Sequence, residues 1–193
     1  MSFAPPPATA AWLHQEARSG FEVSFFTSRG GGFVLEGCTT AVEEGITWAV
    51  EYTVEVDHDW RTSRARVAHR TAAGTRATEL RADGDGHWLV DGHRAPHLDG
   101  CLDVDLESSA MTNTLPVHRV DPRPGVATAA PAACVRAVDL SVERLEQTYV
   151  RVADEGDRVR FDYHAPAFDF ACRLVYDSSA LVLSYPGIAT RAA

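Results

Sequence analysis

The stretch GITWAVEYTVEV, Gly45–Val56, alternates apolar and polar side chains with a period of two. Ile46, Trp48, Val50, Tyr52, Val54 and Val56 share one face, and Thr47, Ala49, Glu51, Thr53 and Glu55 the other. Successive side chains of an extended chain point to opposite sides, so the pattern predicts a long β-strand buried on one face only.

Shorter runs of the same character lie on either side of it: FEVSFF from Phe21, FVLEG from Phe33, ARVAH from Ala65, RATELRA from Arg76 and HWLV from His87. Four more follow late in the chain, QTYVRVA from Gln147, DRVRFDYHA from Asp157, FDFACRLVY from Phe168 and ALVLSY from Ala180. Turn dipeptides separate them, among them Asp83-Gly84, Asp91-Gly92, Asp99-Gly100 and Glu155-Gly156, and Gly30-Gly31-Gly32 reads as a hairpin tip. Helical signal is confined to Ala41–Glu44 and to Leu140–Leu145, the latter with Ser141 as a cap and Glu143 in its first turn. The expectation is a mainly β protein, an antiparallel barrel-like or half-barrel β-roll, since rolling a sheet removes exposed edges. The order of strands from Phe21 to His69, with its long strand ending at Asp57, is similar enough to that from Gln147 to Tyr185, with its strand ending at Asp177, to raise two related β halves. A flexible leader is expected over residues 1–11 and one β-roll domain over 12–193.

Composition narrows the function classes. The 193 residues are 45% hydrophobic and 23% charged, with a net charge of −9. Such a chain is not built to displace counterions from a phosphate backbone, so no nucleic-acid partner is expected. All 18 basic residues are arginine, which excludes a Schiff-base lysine and the usual P-loop. The cysteines Cys38, Cys101, Cys134 and Cys172 form no CxxC pair and read as buried free thiols of a reducing compartment. No basic n-region, apolar signal core or membrane span is visible, and a cytoplasmic location is expected.

The chemistry concentrates in LDGCLDVDLESSAMTNTLPVHRV, Leu98–Val120. Asp103 and Asp105 share a face if extended, and two carboxylates so close need a proton or a partner such as Arg94 or Arg119. Thr112, Asn113 and Thr114 favour a turn, and Leu115 before Pro116 is pushed toward extended backbone. His87, His93 and His97 stand near Asp99, Asp103 and Asp105, but their spacing matches no strong metal signature, and no metal or cofactor is expected. Cys101 has His97 and His118 nearby, yet packing against Trp88 or Leu102 accounts for it more simply.

The same residues resemble a known family, the glycolipid-binding proteins of bacteria, formerly a domain of unknown function. The likeness rests on Gly100-Cys101, Asp103-Val104-Asp105, Thr112-Asn113-Thr114-Leu115-Pro116 and Arg119. Tyr52, Asp57, Trp60, Trp88, Asp91-Gly92, Gln147, Tyr149 and Tyr185-Pro186-Gly187 support it. The resemblance implies a barrel-like or half-barrel β fold, likened to carriers that shuttle lipoproteins in the periplasm. Two departures are His118, where the family usually has a second arginine, and Ser109-Ala110-Met111 in place of a Pro-Phe lead. The expected function is binding of a glycolipid or similar amphiphilic small molecule in a cavity. Asp103, Asp105, Thr112, Asn113, Thr114 and Arg119 would hold the polar part, and Trp60, Trp88 and Leu115 the apolar part. The alternatives are a small hydrolase or isomerase using Asp103 or Asp105 with His97 or His118, and a purely structural knot that locks the crossing between two sheets.

Overall fold

The structure is a computed structural model that describes residues 3–16, 18–120 and 123–193. The long alternating stretch forms one strand of a large meander. In chain order the first strands are β1 (Thr9–His14), β2 (Ser19–Arg29), β3 (Gly32–Glu43), β4 (Ile46–Val56), β5 (Thr62–Thr71), β6 (Gly74–Ala82), β7 (Trp88–Val90) and β8 (His93–Arg94). A connecting segment carries β9 (Asp103–Leu106), a 3-10 turn at Met111–Asn113, the short helix α1 (Thr114–Val117), β10 (Ala127–Ala129), β11 (Ala132–Val135) and β12 (Val142–Leu145). The last strands are β13 (Thr148–Arg151), β14 (Val159–Ala165), β15 (Phe170–Tyr176), β16 (Val182–Tyr185) and β17 (Ala189–Arg191).

Antiparallel pairing of β17 with β1 joins the early and late meanders into one 14-stranded sheet running from β10 to β8. Those two outer strands do not pair with each other, so the sheet is an open half-barrel, a trough with an inner and an outer face. The expected mainly β, barrel-like fold is what the chain adopts. The hairpin joining β2 to β3 turns on Gly30 and Gly31, with φ of 60° and 89°. A two-residue hairpin needs such positive φ, and glycine adopts it without a Cβ clash.

A three-stranded sheet, β12-β11-β9, occupies the trough. Its β9–β11 pairing is parallel. Alternate residues of this small sheet enter different cores. Val104, Leu106, Ala133 and Val135 join a cluster with Trp12, Trp48, Tyr52 and Trp88, whereas Cys134 and Leu145 join one with Tyr149, Phe161, Tyr163 and Tyr176. The large sheet therefore covers both faces of the small one, and β11 is buried at all four positions.

Three local expectations are corrected. Ala41–Glu44 is not helical, because β3 continues to Glu43 with Ala41 paired to Trp48; a single helical turn cannot match that ladder. Leu140–Leu145 is not helical either, because Leu140 has a φ of 59° and Val142–Leu145 pairs with β11 as β12. Leu115-Pro116 is helical rather than extended. Pro116 falls in the first turn of α1, where a backbone N–H would have no intrahelical partner. Of the leader expected over 1–11, residues 1–2 lie outside the described residues and Thr9–Ala11 already belong to β1, with Ala10 and Ala11 buried and paired to β2. Among the described residues no helix is long and apolar enough to cross a membrane.

Inward residues of neighbouring strands line up in rows, and one row decides how the trough is filled. Ser24, Gly37 and Tyr52 are successive cross-strand partners on β2, β3 and β4. The Tyr52 ring lies across Gly37 and its hydroxyl reaches β2. A Cβ at Gly37 would stand 2.3 Å from the Tyr52 ring and hydroxyl and 2.7 Å from the Val23 carbonyl oxygen. Gly37→Ala is expected to lower stability by about 1–3 kcal/mol through overpacking, read as a fall in the urea midpoint.

Candidate functional site

The residues singled out in Leu98–Val120 come together, but mostly with one another. Asp103 is 1% exposed and accepts a hydrogen bond on Oδ2 from Arg119 Nη2. Arg119 Nη1 also donates to the carbonyls of Trp60, at 2.6 Å, and Leu115, at 3.2 Å. Burial raises the pKa of Asp103 and the Arg119 guanidinium works against that rise. Asp105 projects from the same face of β9 and accepts from the Thr112 hydroxyl at 3.0 Å. Burial lifts its pKa to about 6 against the hydrogen bonds of Thr112 and Cys134. The Thr112 hydroxyl in turn accepts the Leu106 N–H at 3.2 Å.

Asn113 accepts the Tyr149 hydroxyl on Oδ1 at 2.9 Å, and its carbonyl accepts the Tyr176 hydroxyl at 3.3 Å. Thr114 is fully buried, its hydroxyl without a partner among the described residues. Trp88 is fully buried in the core with its Nε1 donating to the Cys101 carbonyl at 2.9 Å. The run thus bolts α1 and β9 to each other and to the late meander. Only parts of it border a hollow. Asp103 and Arg119 edge a cavity of about 200 Å³. Trp60, His118 and Arg119 line a groove of about 680 Å³ with Phe33 and Phe3. There the Trp60 ring stacks on His118, with centroids 3.7 Å apart and an angle of 3°, and on Phe33 at 4.9 Å.

The histidines of the segment go separate ways. His87 meets Asp83 at 2.7 Å, His93 the Asp91 carbonyl and His97 the Val142 carbonyl. Neither His97 nor His118 bonds to Asp103 or Asp105, so the acid–histidine pairing required by the hydrolase alternative is not formed. Burial, helped by Arg119, lowers the His118 pKa to about 4. Among the described residues no group of three or more His, Cys, Asp or Glu side chains is placed to hold a metal. Burial pushes the Cys101 thiol up to about 11, as expected of packing rather than nucleophilic chemistry.

Two features escaped sequence reading. Glu22 on β2 is fully buried and accepts from the Tyr52 hydroxyl at 2.7 Å, the Ala110 N–H at 2.8 Å and the Ser109 hydroxyl. It ties the trough floor to the segment inside. The second is a groove of about 1260 Å³ at the end of the trough formed by the β3–β4 and β5–β6 hairpins. Ala41, Val42, Ile46, Trp48 and Ala73 give it apolar walls, and Val138 faces them from the connecting segment. Ile46 is 56% exposed and Val138 60% exposed, although both are large aliphatic side chains. The available signal was Ile46, the first apolar residue of the alternating stretch, standing beside the Glu44-Gly45 turn, where no plug covers it.

A family model described as "Putative glycolipid-binding" matches residues 9–191. A crystal structure of a DUF1089 family protein from Pseudomonas aeruginosa is 27% identical, with a TM-score of 0.75 over 99% of this chain and 96% of that one. A beta-barrel-like protein of the domain of unknown function DUF1849, from Brucella abortus, is similar in fold, with 11% identity, a TM-score of 0.53 and coverage of 98% and 96%. Among curated proteins none matches the chain.

The raised pKa of Asp105 has a consequence for stability. Because its folded pKa exceeds the unfolded value of 3.8, the stability it contributes is present below about pH 4 and is lost as pH rises through about 6. Asp105→Asn keeps an acceptor for Thr112 and removes that titration. Its stability relative to the parent protein is expected to rise by on the order of 2 kcal/mol between pH 4 and 8. Urea unfolding at the two pH values checks this, and a pH-independent difference contradicts it.

Proposed function

We propose, since the chain belongs to the glycolipid-binding family whose model spans it, that it binds an amphiphile such as a glycolipid, with the apolar part of the ligand in the groove between the β3–β4 and β5–β6 hairpins. The observation that carries this reading is the groove's volume of about 1260 Å³ together with its mostly apolar surface, to which Ala41, Val42, Ile46, Trp48, Ala73 and Val138 contribute beside threonines, His69 and two arginines. Ligand pockets commonly measure roughly 300–1,000 Å³ and combine apolar walls with a few convergent polar groups. Each methylene moved from water into such a site contributes about 0.8 kcal/mol, so an alkyl chain gains affinity with length. The Asp103–Asn113 knot supports the site from behind by holding the small sheet in the trough.

A second reading puts the ligand at the 680 Å³ groove, where Trp60 and Arg119 would be the contacts. The stacked rings of Phe33, Trp60 and His118 favour it, since such a platform suits the face of a sugar.

Titration calorimetry with dodecyl maltoside below its micellar concentration separates the two. Ile46→Asp and Val138→Asp place a charge in the apolar mouth at exposed positions and are expected to weaken binding at least tenfold. Loss of binding in Trp60→Ala with full binding in Ile46→Asp moves the ligand to the other groove. Failure of the parent protein to bind any alkyl amphiphile, with no lipid recovered by mass spectrometry from gently purified protein, ends the proposal.

A further inference from the structure

The groove's walls are apolar, yet its charged lining has a single sign. Arg70 and Arg76 line it, His69 and Trp48 stand with them, and no Asp or Glu is among its lining residues. That is unexpected in a chain with 27 acids against 18 arginines. Arg76 is the cross-strand partner of His69 on β5 and β6, and the His69 and Trp48 rings lie 6.4 Å apart. Neither Arg70 nor Arg76 makes an ion pair or hydrogen bond among the described residues, whereas most other arginines of the sheet are paired, as Arg64 is with Glu79 and Arg173 with Asp162.

Two buried polar atoms of the lining also lack partners. Trp48 is 3% exposed and His69 5%, and neither Trp48 Nε1 nor His69 Nε2 is hydrogen-bonded. Buried polar groups are almost always satisfied, so two unpartnered nitrogens that line the same hollow make it a place suited to a hydrogen-bonding ligand. Indole N–H is a donor only, and imidazole Nε2 donates in one tautomer and in the protonated form. Behind them Arg18 lies over the Trp48 ring at 5.3 Å, with 7% of its side chain exposed. Its Nε is 3.9 Å from Glu43 Oε1, too long for a hydrogen bond, and its Nε and Nη1 are likewise without hydrogen-bond partners. The smaller neighbouring pocket that Arg76 also lines holds two acids, and both are engaged elsewhere: Asp91 accepts from the Thr78 hydroxyl and the Glu79 N–H, and Asp139 from the N–H and hydroxyl of Ser141.

Resting on the amphiphile reading of this same groove, we infer that the ligand's head group is an oxyanion, a carboxylate, phosphate or sulfate at the end of the apolar chain. Arg76 supplies the charge from the face of the sheet that His69 and Trp48 share, and Trp48 Nε1 and His69 Nε2 the directed donors. The unsatisfied N–H groups are the kind of partner an anionic oxygen has and a sugar hydroxyl alone does not require. A guanidinium can hold carboxylate or phosphate with two parallel hydrogen bonds. An anion beside His69 would also offset the burial and the Arg76 charge that together lower that residue's pKa.

The test compares three probes with the same twelve-carbon chain, dodecanoate, dodecyl phosphate and neutral dodecyl maltoside, each titrated below its micellar concentration. The anionic probes are expected to bind at least tenfold more tightly than the maltoside. Arg76→Gln is expected to reduce that preference about tenfold, and Arg29→Gln, at the far hairpin, to retain it. A larger effect for the phosphate than for dodecanoate identifies a doubly charged head, and the reverse identifies a carboxylate. Equal or tighter binding of the maltoside overturns the oxyanion inference while leaving the groove reading intact. No binding by any of the three overturns the groove reading and this inference with it. A preference for anions that survives Arg76→Gln and the Arg70→Gln/Arg76→Gln double variant also overturns the assignment.

Discussion

The carboxyl group of Glu22, buried on the inner face of β2, holds together the two parts from which the structure is made. A charge or carboxyl removed from water is costly unless its lone pairs are met. Among the described residues it has no cationic partner; it is met by the Tyr52 hydroxyl from β4 and by the Ser109 hydroxyl and Ala110 N–H from the connecting segment. Burial raises its pKa, and those donors act against the rise. Because the donors come from 30 and 87 or more residues away, the bonds form only when the sheet and its filling are in place. Gly37 belongs to this interaction although it makes none of the bonds, since any side chain there would block the path of Tyr52.

What hangs from that point is a strand with two characters. The alternation of β9 sends Val104 and Leu106 into the core of the early meander, and Asp103 and Asp105 toward the late one. An acid drawn out of water, wholly as Asp103 is or partly as Asp105 is, is favoured by either a cation or a proton. Asp103 has the first, in Arg119, and Asp105 is biased toward the second, with a pKa near 6. Arg119 also binds the carbonyl of Trp60, which adopts a φ of 61°, so the loop before β5 is pinned to α1. Removing either member of a buried pair strands the other, which is why such pairs fix geometry even where they add little net stability.

The strands were legible because half-burial leaves a period of two in the residues themselves. Trp48, Val50, Tyr52, Val54 and Val56 are all buried, as their spacing required, while the surplus apolar residue of that face, Ile46, is exposed. Ala41–Glu44 and Leu140–Leu145 misled because a short segment carries too few residues to show its period, and cross-strand partners decided both. The polar knot was legible as an unusual place and illegible as to direction. Thr112, Asn113 and Asp105 are spent on one another and on tyrosines from the late meander, partners that no local pattern announces. The apolar groove was hidden for a related reason. Its walls come from two hairpins and Val138, which are neighbours only through the register of the sheet.

The position of that groove follows from lengths. The strands β2 to β6 are 11, 12, 11, 10 and 9 residues long, and each strand of the small inner sheet has four. At about 3.3 Å per residue the outer strands span roughly 30–40 Å and the inner ones about 13 Å. An inner sheet that short cannot cover the floor of the trough from end to end. The Val104 N–H donates to the Thr62 hydroxyl at the start of β5, which anchors β9 at the end opposite the β5–β6 hairpin, and the uncovered length falls at that hairpin and its β3–β4 neighbour. Inward side chains there, Trp48 and His69 among them, meet a hollow where the same face nearer the middle meets Leu106 and Met111. A trough built longer than its filling leaves the half-buried face of its strands unpartnered at one end, and in this protein that end is also where arginines without carboxylates collect.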